Sequence, residues 1–200
     1  MKIGVLAVQG AFIEHINMLR KLSEIQSLQP ECVEIRQKKD LDGIDGLILP
    51  GGESTVQGQL LHKLELFEPI RSLIENGLPV LGTCAGLILL AEELEGDATK
   101  HLATLPVTVQ RNAYGRQLGS FETNAPVGSF ADYPHVFIRA PYITEVKDGA
   151  KILSCVDGRI VGVEYGNQIG LAFHPEMTDD VRIHAYFLDK VAAACRPENR

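Results

Sequence analysis

A cysteine sits among small residues at Gly82-Thr83-Cys84-Ala85-Gly86. The apolar Pro79-Val80-Leu81 before it reads as a buried strand, and Leu87-Ile88-Leu89-Leu90-Ala91 after it starts a helix. Strand, tight turn and helix with a nucleophile at the apex form the G-x-nucleophile-x-G elbow, here with Cys where hydrolases usually carry Ser. The flanking glycines suit a sharp turn that leaves no room for a Cβ. The helix start behind Cys84 favours a thiolate and offers unpaired N–H groups to an oxyanion.

A nucleophilic thiol needs a base, a group to orient the base, and an oxyanion hole. The best base is His174 in Phe173-His174-Pro175-Glu176, at the end of a strand through Gly170-Leu171-Ala172. Glu176 lies two residues on, across a stiff proline, where a carboxylate can hold the imidazole in one tautomer. One oxyanion donor is the Ala85 N–H. The other is expected from Gly51-Gly52, in the loop after a neighbouring strand. Arg111 and Arg139 each follow an apolar strand run, and either could grip a substrate carboxylate. His15, His62 and His184 fall on expected helices, His101 in a loop and His135 at a strand start. These five read as structural or solvated, and no pair has metal-ligand spacing.

The elements that must place these groups read as a doubly wound sheet. Ile3 to Val8 is a continuous apolar run, the mark of a parallel strand covered on both faces. Gln9-Gly10 turns into a helix from Phe12 to Ser27, with Ile13, Ile16, Leu19, Leu22 and Ile25 at helical spacing. Glu31 to Arg36 and Gly46 to Leu49 are further strands. Pro50-Gly51-Gly52-Glu53-Ser54-Thr55 follows, with Ser54 as the expected N-cap of a helix from Thr55 through Leu64. This loop lacks the spacing and the Gly-Lys of a phosphate-binding P-loop. Phe67 to Glu75 is the next helix, stopped by Asn76-Gly77. After Gly96 come six short strands: Val107–Gln110, Gly119–Glu122, Val136–Ile138, Lys151–Cys155, Ile160–Glu164 and Ile169–Ala172. Turns such as Asp148-Gly149, Asp157-Gly158 and Gly166-Asn167 suggest antiparallel hairpins. A last helix spans Asp179 to Ala194, and the tail from Arg196 is expected to fray. The expected fold class is a three-layer, flavodoxin-like α/β domain over 1–200. Its sheet is mostly parallel, with antiparallel additions in the second half, and ligands bind at the strands' carboxyl ends.

Composition narrows the function classes. The 200 residues carry a net charge of −7 and have no basic cluster beyond Lys38-Lys39, which argues against nucleic acid or an anionic membrane as partner. No apolar run reaches a membrane span, and the first residues show no signal-peptide pattern. Cys32, Cys84, Cys155 and Cys195 have no disulfide or metal spacing, which fits a reducing cytoplasm. Cys32, Cys155 and Cys195 read as small buried hydrophobes.

The elbow together with His174-Pro175-Glu176 resembles the class I, triad glutamine amidotransferases. Further stretches narrow the resemblance: Gly4-Val5-Leu6-Ala7-Val8-Gln9-Gly10, Leu49 to Thr55, Arg111-Asn112-Ala113-Tyr114-Gly115-Arg116-Gln117, and Phe137-Ile138-Arg139-Ala140-Pro141. Together they are similar to the glutaminase subunits of pyridoxal 5′-phosphate synthase, from Lys2 to about Val191. The resemblance implies hydrolysis of L-glutamine to glutamate and ammonia, with the ammonia passed to a separate synthase subunit. It implies Cys84 as nucleophile, His174 as acid and base, and Glu176 as orienter. Gly51, Gly52, Glu53, Ser54, Arg111, Ile138 and Arg139 would bind glutamine. Gln9 would lie near the synthase interface, and docking would help order the oxyanion peptide at Gly51-Gly52. No cofactor or metal is expected, since pyridoxal 5′-phosphate is the pathway's product. The segment from Ser23 to Lys39 is longer and more polar than the family usually shows. Two alternatives remain: a glutaminase subunit of another pathway, such as histidine biosynthesis, and a non-enzymatic glutamine-sensing subunit. The sensor would ordinarily have lost Cys84 or His174.

Overall fold

The computed structural model describes residues 1–26, 29–111, 120–147 and 149–196. Strands β1 (Lys2–Leu6), β3 (Gly46–Leu49), β4 (Val80–Thr83) and β12 (Gln168–Leu171) form the centre of a ten-stranded sheet. Apart from Lys2 they are buried along their whole length, as strands covered on both faces must be. The order β2-β1-β3-β4-β12 is parallel throughout, with β2 (Glu31–Ile35) at the edge. Leu49 is level with Gly82, and Leu171 with Thr83. The chain therefore leaves β3, β4 and β12 at one edge, and these exits lead to Gly51, Cys84 and His174.

Beyond β12 the pairing turns antiparallel through β11 (Arg159–Tyr165), β9 (Tyr142–Val146) and β6 (Leu105–Gln110), with β10 (Lys151–Val156) flanking β11. β7 (Ser120–Val127) and β8 (Phe130–Ile138) form a separate hairpin whose last residues run into Arg139. The expected mostly parallel sheet with antiparallel additions is the fold observed.

Five details depart from expectation. Helix α1 (Phe12–Ile25) buries His15, Ile16, Met18, Leu19 and Leu22, while Ile13 and Ile25 face solvent at 45% and 62% exposure. The inward stripe passes through a histidine that a count of apolar residues skips. Helix α2 (Ser54–Lys63) is capped by Glu53, not Ser54, through acceptance from the Thr55 and Val56 N–H groups at 3.3 and 2.8 Å. After α3 (Phe67–Glu75) and β4, helix α4 (Ala85–Leu90) lasts six residues and passes straight into β5 (Ala91–Leu94). The helix formers of Ala91-Glu92-Glu93-Leu94 are overridden by parallel pairing with β6. Strand β9 was not anticipated, although Tyr142-Ile143-Thr144-Glu145-Val146 has strand composition. Helix α5 (Arg182–Ala194) starts three residues later than expected, because Asp180 Oδ1 first accepts the Arg182 N–H at 3.0 Å.

Gly119, residue 148 and the tail beyond Arg196 lie outside the described residues. So does 112–117, most of one stretch that carries the resemblance. No helix among the described residues is long and apolar enough to cross a membrane.

Candidate active site

Cys84 sits between β4 and α4 with φ 48° and ψ −98°, a left-handed setting that a side chain adopts only when its surroundings enforce it. The enforcement is visible. The Cys84 N–H donates to Leu171 O of β12 at 2.8 Å. A Cβ on Gly86 would stand 2.0 Å from Leu49 O, and one on Gly82 would meet Leu90 and the Gly86 backbone at 2.7–2.9 Å. Helix and strands touch backbone to backbone at the elbow, and both glycines are needed for that approach. Ala85 opens α4, so its N–H has no intrahelical partner.

His174 and Glu176 come from the β12 exit. The His174 N–H donates to Val136 O of β8 at 2.8 Å, which ties the segment down, and Pro175–Met177 turns as a short 3₁₀ helix. Imidazole Nδ1 lies 2.7 Å from Glu176 Oε1, and both side chains are buried. Nδ1 therefore carries the proton, and Nε2 is buried with no hydrogen-bond partner among the described residues. Burial is the largest single influence on His174 and lowers its pKa, but Cys84 and Glu176 together outweigh it and raise the value to about 10. Burial acts on Glu176 in the opposite sense, raising its pKa. His15 and His174 overcome this and hold the carboxyl below its ordinary value, ionised.

A pocket of about 450 Å³ opens in front of this pair, lined by Cys84, His174, Gln9, Gly51, Gly52, Glu53, Ser54, Arg111, Ile138 and Arg139. Every glutamine-binding candidate from the sequence is thus at one site, together with Gly10, Ala11 and Ile88, which were not singled out. Gly51 lies flat against the His174 ring: a Cβ there would stand 2.3 Å from His174 Cε1. Gly51 O accepts the Ala11 N–H at 2.9 Å, and the Glu53 N–H donates to Gln9 Oε1 at 2.9 Å. Gln57 Nε2 donates to Gln9 O at 2.9 Å. Gln9 thus braces the Gly51–Glu53 loop from within the chain, a role the sequence did not suggest.

The two arginines differ. Arg111 is already engaged: Nη2 donates to Thr55 Oγ1 at 3.1 Å and lies 3.5 Å from Glu53, and Nη1 lies 3.4 Å from Asp97. Arg139 is exposed, has φ 45°, and has no ion pair among the described residues. Glu53 is occupied as the α2 cap. Burial raises its pKa, but the Val56 and Thr55 N–H groups hold the carboxyl below its usual range.

The remaining histidines divide. His135 joins Tyr133 O and Ser154 Oγ at 2.8 and 2.9 Å, and His62 stacks on Phe67, both structural as expected. His101 is buried against Gly58. His15 and His184 are not bystanders. They lie behind Glu176, and their inward position on α1 and α5 was the available signal. Cys155 is exposed rather than buried, while Cys32 and Cys195 are half-buried; all four cysteines are free thiols. No cluster of His, Cys, Asp and Glu among the described residues could hold a metal.

A backbone-strained cysteine, a buried His–Glu pair and a polar pocket at the carboxyl edge of a parallel sheet make an arrangement suited to triad amidohydrolase chemistry. Residues 5–193 match the SNO glutamine amidotransferase family, and the chain belongs to that family. It is 59% identical over 193 residues to the pyridoxal 5′-phosphate synthase subunit PdxT of Desulfitobacterium hafniense (strain Y51), covering 96% of this chain and 94% of that one. It is 54% identical to the PdxT of Methanocorpusculum labreanum, covering 96% and 98%. A solved glutamine amidotransferase superposes with a TM-score of 0.87 at 38% identity, over 95% of this chain and 98% of that chain. A glutamine amidotransferase from Thermotoga maritima, 16% identical with a TM-score of 0.63 over 99% and 87%, shares the fold.

Proposed function

We propose that this chain is the glutaminase subunit of a pyridoxal 5′-phosphate synthase, hydrolysing L-glutamine and supplying the ammonia to a synthase subunit. The observation that carries the chemistry is that Cys84, on a strained elbow, and His174, whose Nδ1 is 2.7 Å from a buried carboxylate, line one pocket. The identity to PdxT subunits supports the pathway.

Cys84 thiolate attacks the side-chain amide carbon of glutamine. The Ala85 and Gly52 N–H groups receive the oxyanion, and losing one such donor costs about a hundredfold or more in rate. Imidazolium His174 gives its Nε2 proton to the amide nitrogen, and ammonia leaves as the γ-glutamyl thioester forms. His174, now neutral, takes a proton from water as the water attacks the thioester. Collapse of that intermediate releases glutamate and restores the thiolate. Glu176 stays ionised and fixes the ring throughout.

Arg139 takes the α-carboxylate of glutamine, since its guanidinium has no ion pair among the described residues, whereas Arg111 is held by Thr55, Glu53 and Asp97. Arg111 and the Glu53 cap shape the pocket wall, and the main chain of Gly51, Gly52, Ser54 and Ile138 lines the substrate's path. The reaction needs no cofactor or metal. Synthase docking helps order the Gly51–Gly52 peptide, whose carbonyl is bound to Ala11 here, and Gln9 links that loop to the docking face. The free thiols fit a cytoplasmic setting.

The test is ammonia release from glutamine by the chain alone and with its cognate synthase subunit. Release that rises on adding the synthase is expected. No release in either condition would overturn the proposal.

A further inference from the structure

Behind the triad, four buried polar side chains from four elements meet. Glu176 gives Oε1 to His174, and its Oε2 is a buried oxygen with no hydrogen-bond partner among the described residues. The nearest polar group recorded beside Oε2 is His15 Nε2 on α1, at 3.4 Å. The same Nε2 is 3.1 Å from Oγ1 of Thr83, the residue before the nucleophile. His15 Nδ1 is 3.0 Å from Nε2 of His184 on α5, and His184 Nδ1 has no hydrogen-bond partner among the described residues. Glu176 is 5% exposed, while His15, His184 and Thr83 are sealed from solvent.

The protons follow from these partners. Glu176 is an acceptor only, so a bare His15 Nε2 would set two lone pairs against each other. Nε2 therefore carries the hydrogen, Nδ1 is the acceptor, and His184 Nε2–H donates to it. That leaves a bare nitrogen at His184 Nδ1, which has no partner among the described residues. Burial, the largest influence on both, lowers the pKa of His15 and takes that of His184 to about 3, so both rings are neutral. The charged and titratable groups around His15 are Glu176, His174 and His184, with Glu14 on its own helix.

We propose that His15 is a positioning residue for the triad: held in its Nε2–H tautomer by His184, it keeps an N–H dipole 3.4 Å from the second oxygen of Glu176, and this keeps the first oxygen aimed at His174. This rests on the glutaminase reading. It deepens that reading by adding two side chains that touch neither substrate nor the reacting atoms. A buried carboxylate with one free oxygen can rotate about its last torsion. Without His15, the His174 Nδ1–Glu176 bond loses its fixed direction, and the imidazolium that faces the sulfur loses support.

Three variants decide it: H15L, H15Q, whose amide nitrogen reaches the place of Nε2, and H15N, whose amide nitrogen stands where Nδ1 does. Each is assayed for glutamine hydrolysis in complex with the synthase subunit. In the chain alone, each is assayed for iodoacetamide alkylation of Cys84 as a function of pH, followed by mass spectrometry of the Cys84 peptide. H15L and H15N should lose kcat about tenfold or more, the scale for outer-shell partners in metal sites, with KM little changed. H15Q should recover most of the loss, and Cys84 alkylation near neutral pH should slow in H15L and H15N alone. Should H15L fail to fold, the H15Q and H15N pair carries the comparison. Equal behaviour of H15Q and H15N, or a fall in thermal stability with unchanged kcat and alkylation profile, overturns the proposal. Alkylation needs neither glutamine nor partner, so it still reports on His15 if the wild type releases no ammonia. That last result would count against the glutaminase reading alone.

Discussion

The two sides of the proposed catalytic pair are built differently. Behind His174 lie Glu176, His15, His184 and Thr83, nearly sealed from water and fixed by α1, α5 and the ends of β4 and β12. In front lie Gly52, Glu53 and Arg139, all exposed, with Arg111 at 29%. The rear holds charge and proton positions that must not move during turnover, so it is desolvated and tied to the core. The front must admit and release a polar substrate, so it consists of loop backbone and guanidinium groups. On this division, changes at the rear alter kcat and pH behaviour, and changes at the front alter KM.

The largest expected effect tests whether the seam between the two sides is rigid. Gly86→Ala puts a Cβ 2.0 Å from Leu49 O, backbone against backbone, with no flexible side chain to yield. It should cost about 3 kcal/mol or more of stability by denaturant unfolding, the upper range for overpacking. Gly51→Ala comes next, because the added methyl meets His174 Cε1 at 2.3 Å. A base pushed aside by an ångström loses about a hundredfold in kcat, read from ammonia release in the complex. A smaller loss is expected from Arg139→Leu at the front. Removing a charge-assisted contact to the substrate carboxylate should raise KM about tenfold or more while kcat holds. A fall in kcat with unchanged KM would erase the distinction between the sides.

The smallest effect is a slope. His184 has its pKa lowered by burial from 6.5 to about 3, so the unfolded chain binds a proton in that window and the folded chain does not. Stability from this group is complete above 6.5 and is lost as pH falls toward about 3. His174, raised to about 10 despite burial by Cys84 and Glu176, works oppositely: its contribution is complete below 6.5 and fades as pH rises through about 10. Melting curves from pH 7 to pH 4 should show a shallower acid-side fall for His184→Gln than for the wild type. Identical slopes would mean that His184 is protonated in the folded state.

What was legible in the sequence follows the same division. Cys84, His174 and Glu176 carry short-range signals, since elbow glycines and a strand-end His-Pro-Glu are local patterns. The β3 and β12 exits were readable because runs such as Gly46-Leu47-Ile48-Leu49 are apolar without alternation. His15 and His184 were not, because each reads as one polar residue on an amphipathic helix, and only the packing of α1 against α5 joins them to Glu176. The Glu53 cap was missed for a related reason. Ser54 satisfies the same local rule, and only the geometry of the turn decides between adjacent oxygens. β5 was hidden by its own helix formers, which parallel pairing with β6 overrides.

In the proposed reaction Cys84 itself carries the γ-glutamyl group. Acid-quenching the complex of chain and synthase subunit during turnover, with intact-mass and peptide analysis, reads this directly. The wild type should carry one glutamyl adduct on Cys84, and Cys84→Ala should give neither adduct nor ammonia. Sustained ammonia release by Cys84→Ala, or an adduct on Cys32, Cys155 or Cys195 instead, would contradict the proposed reaction.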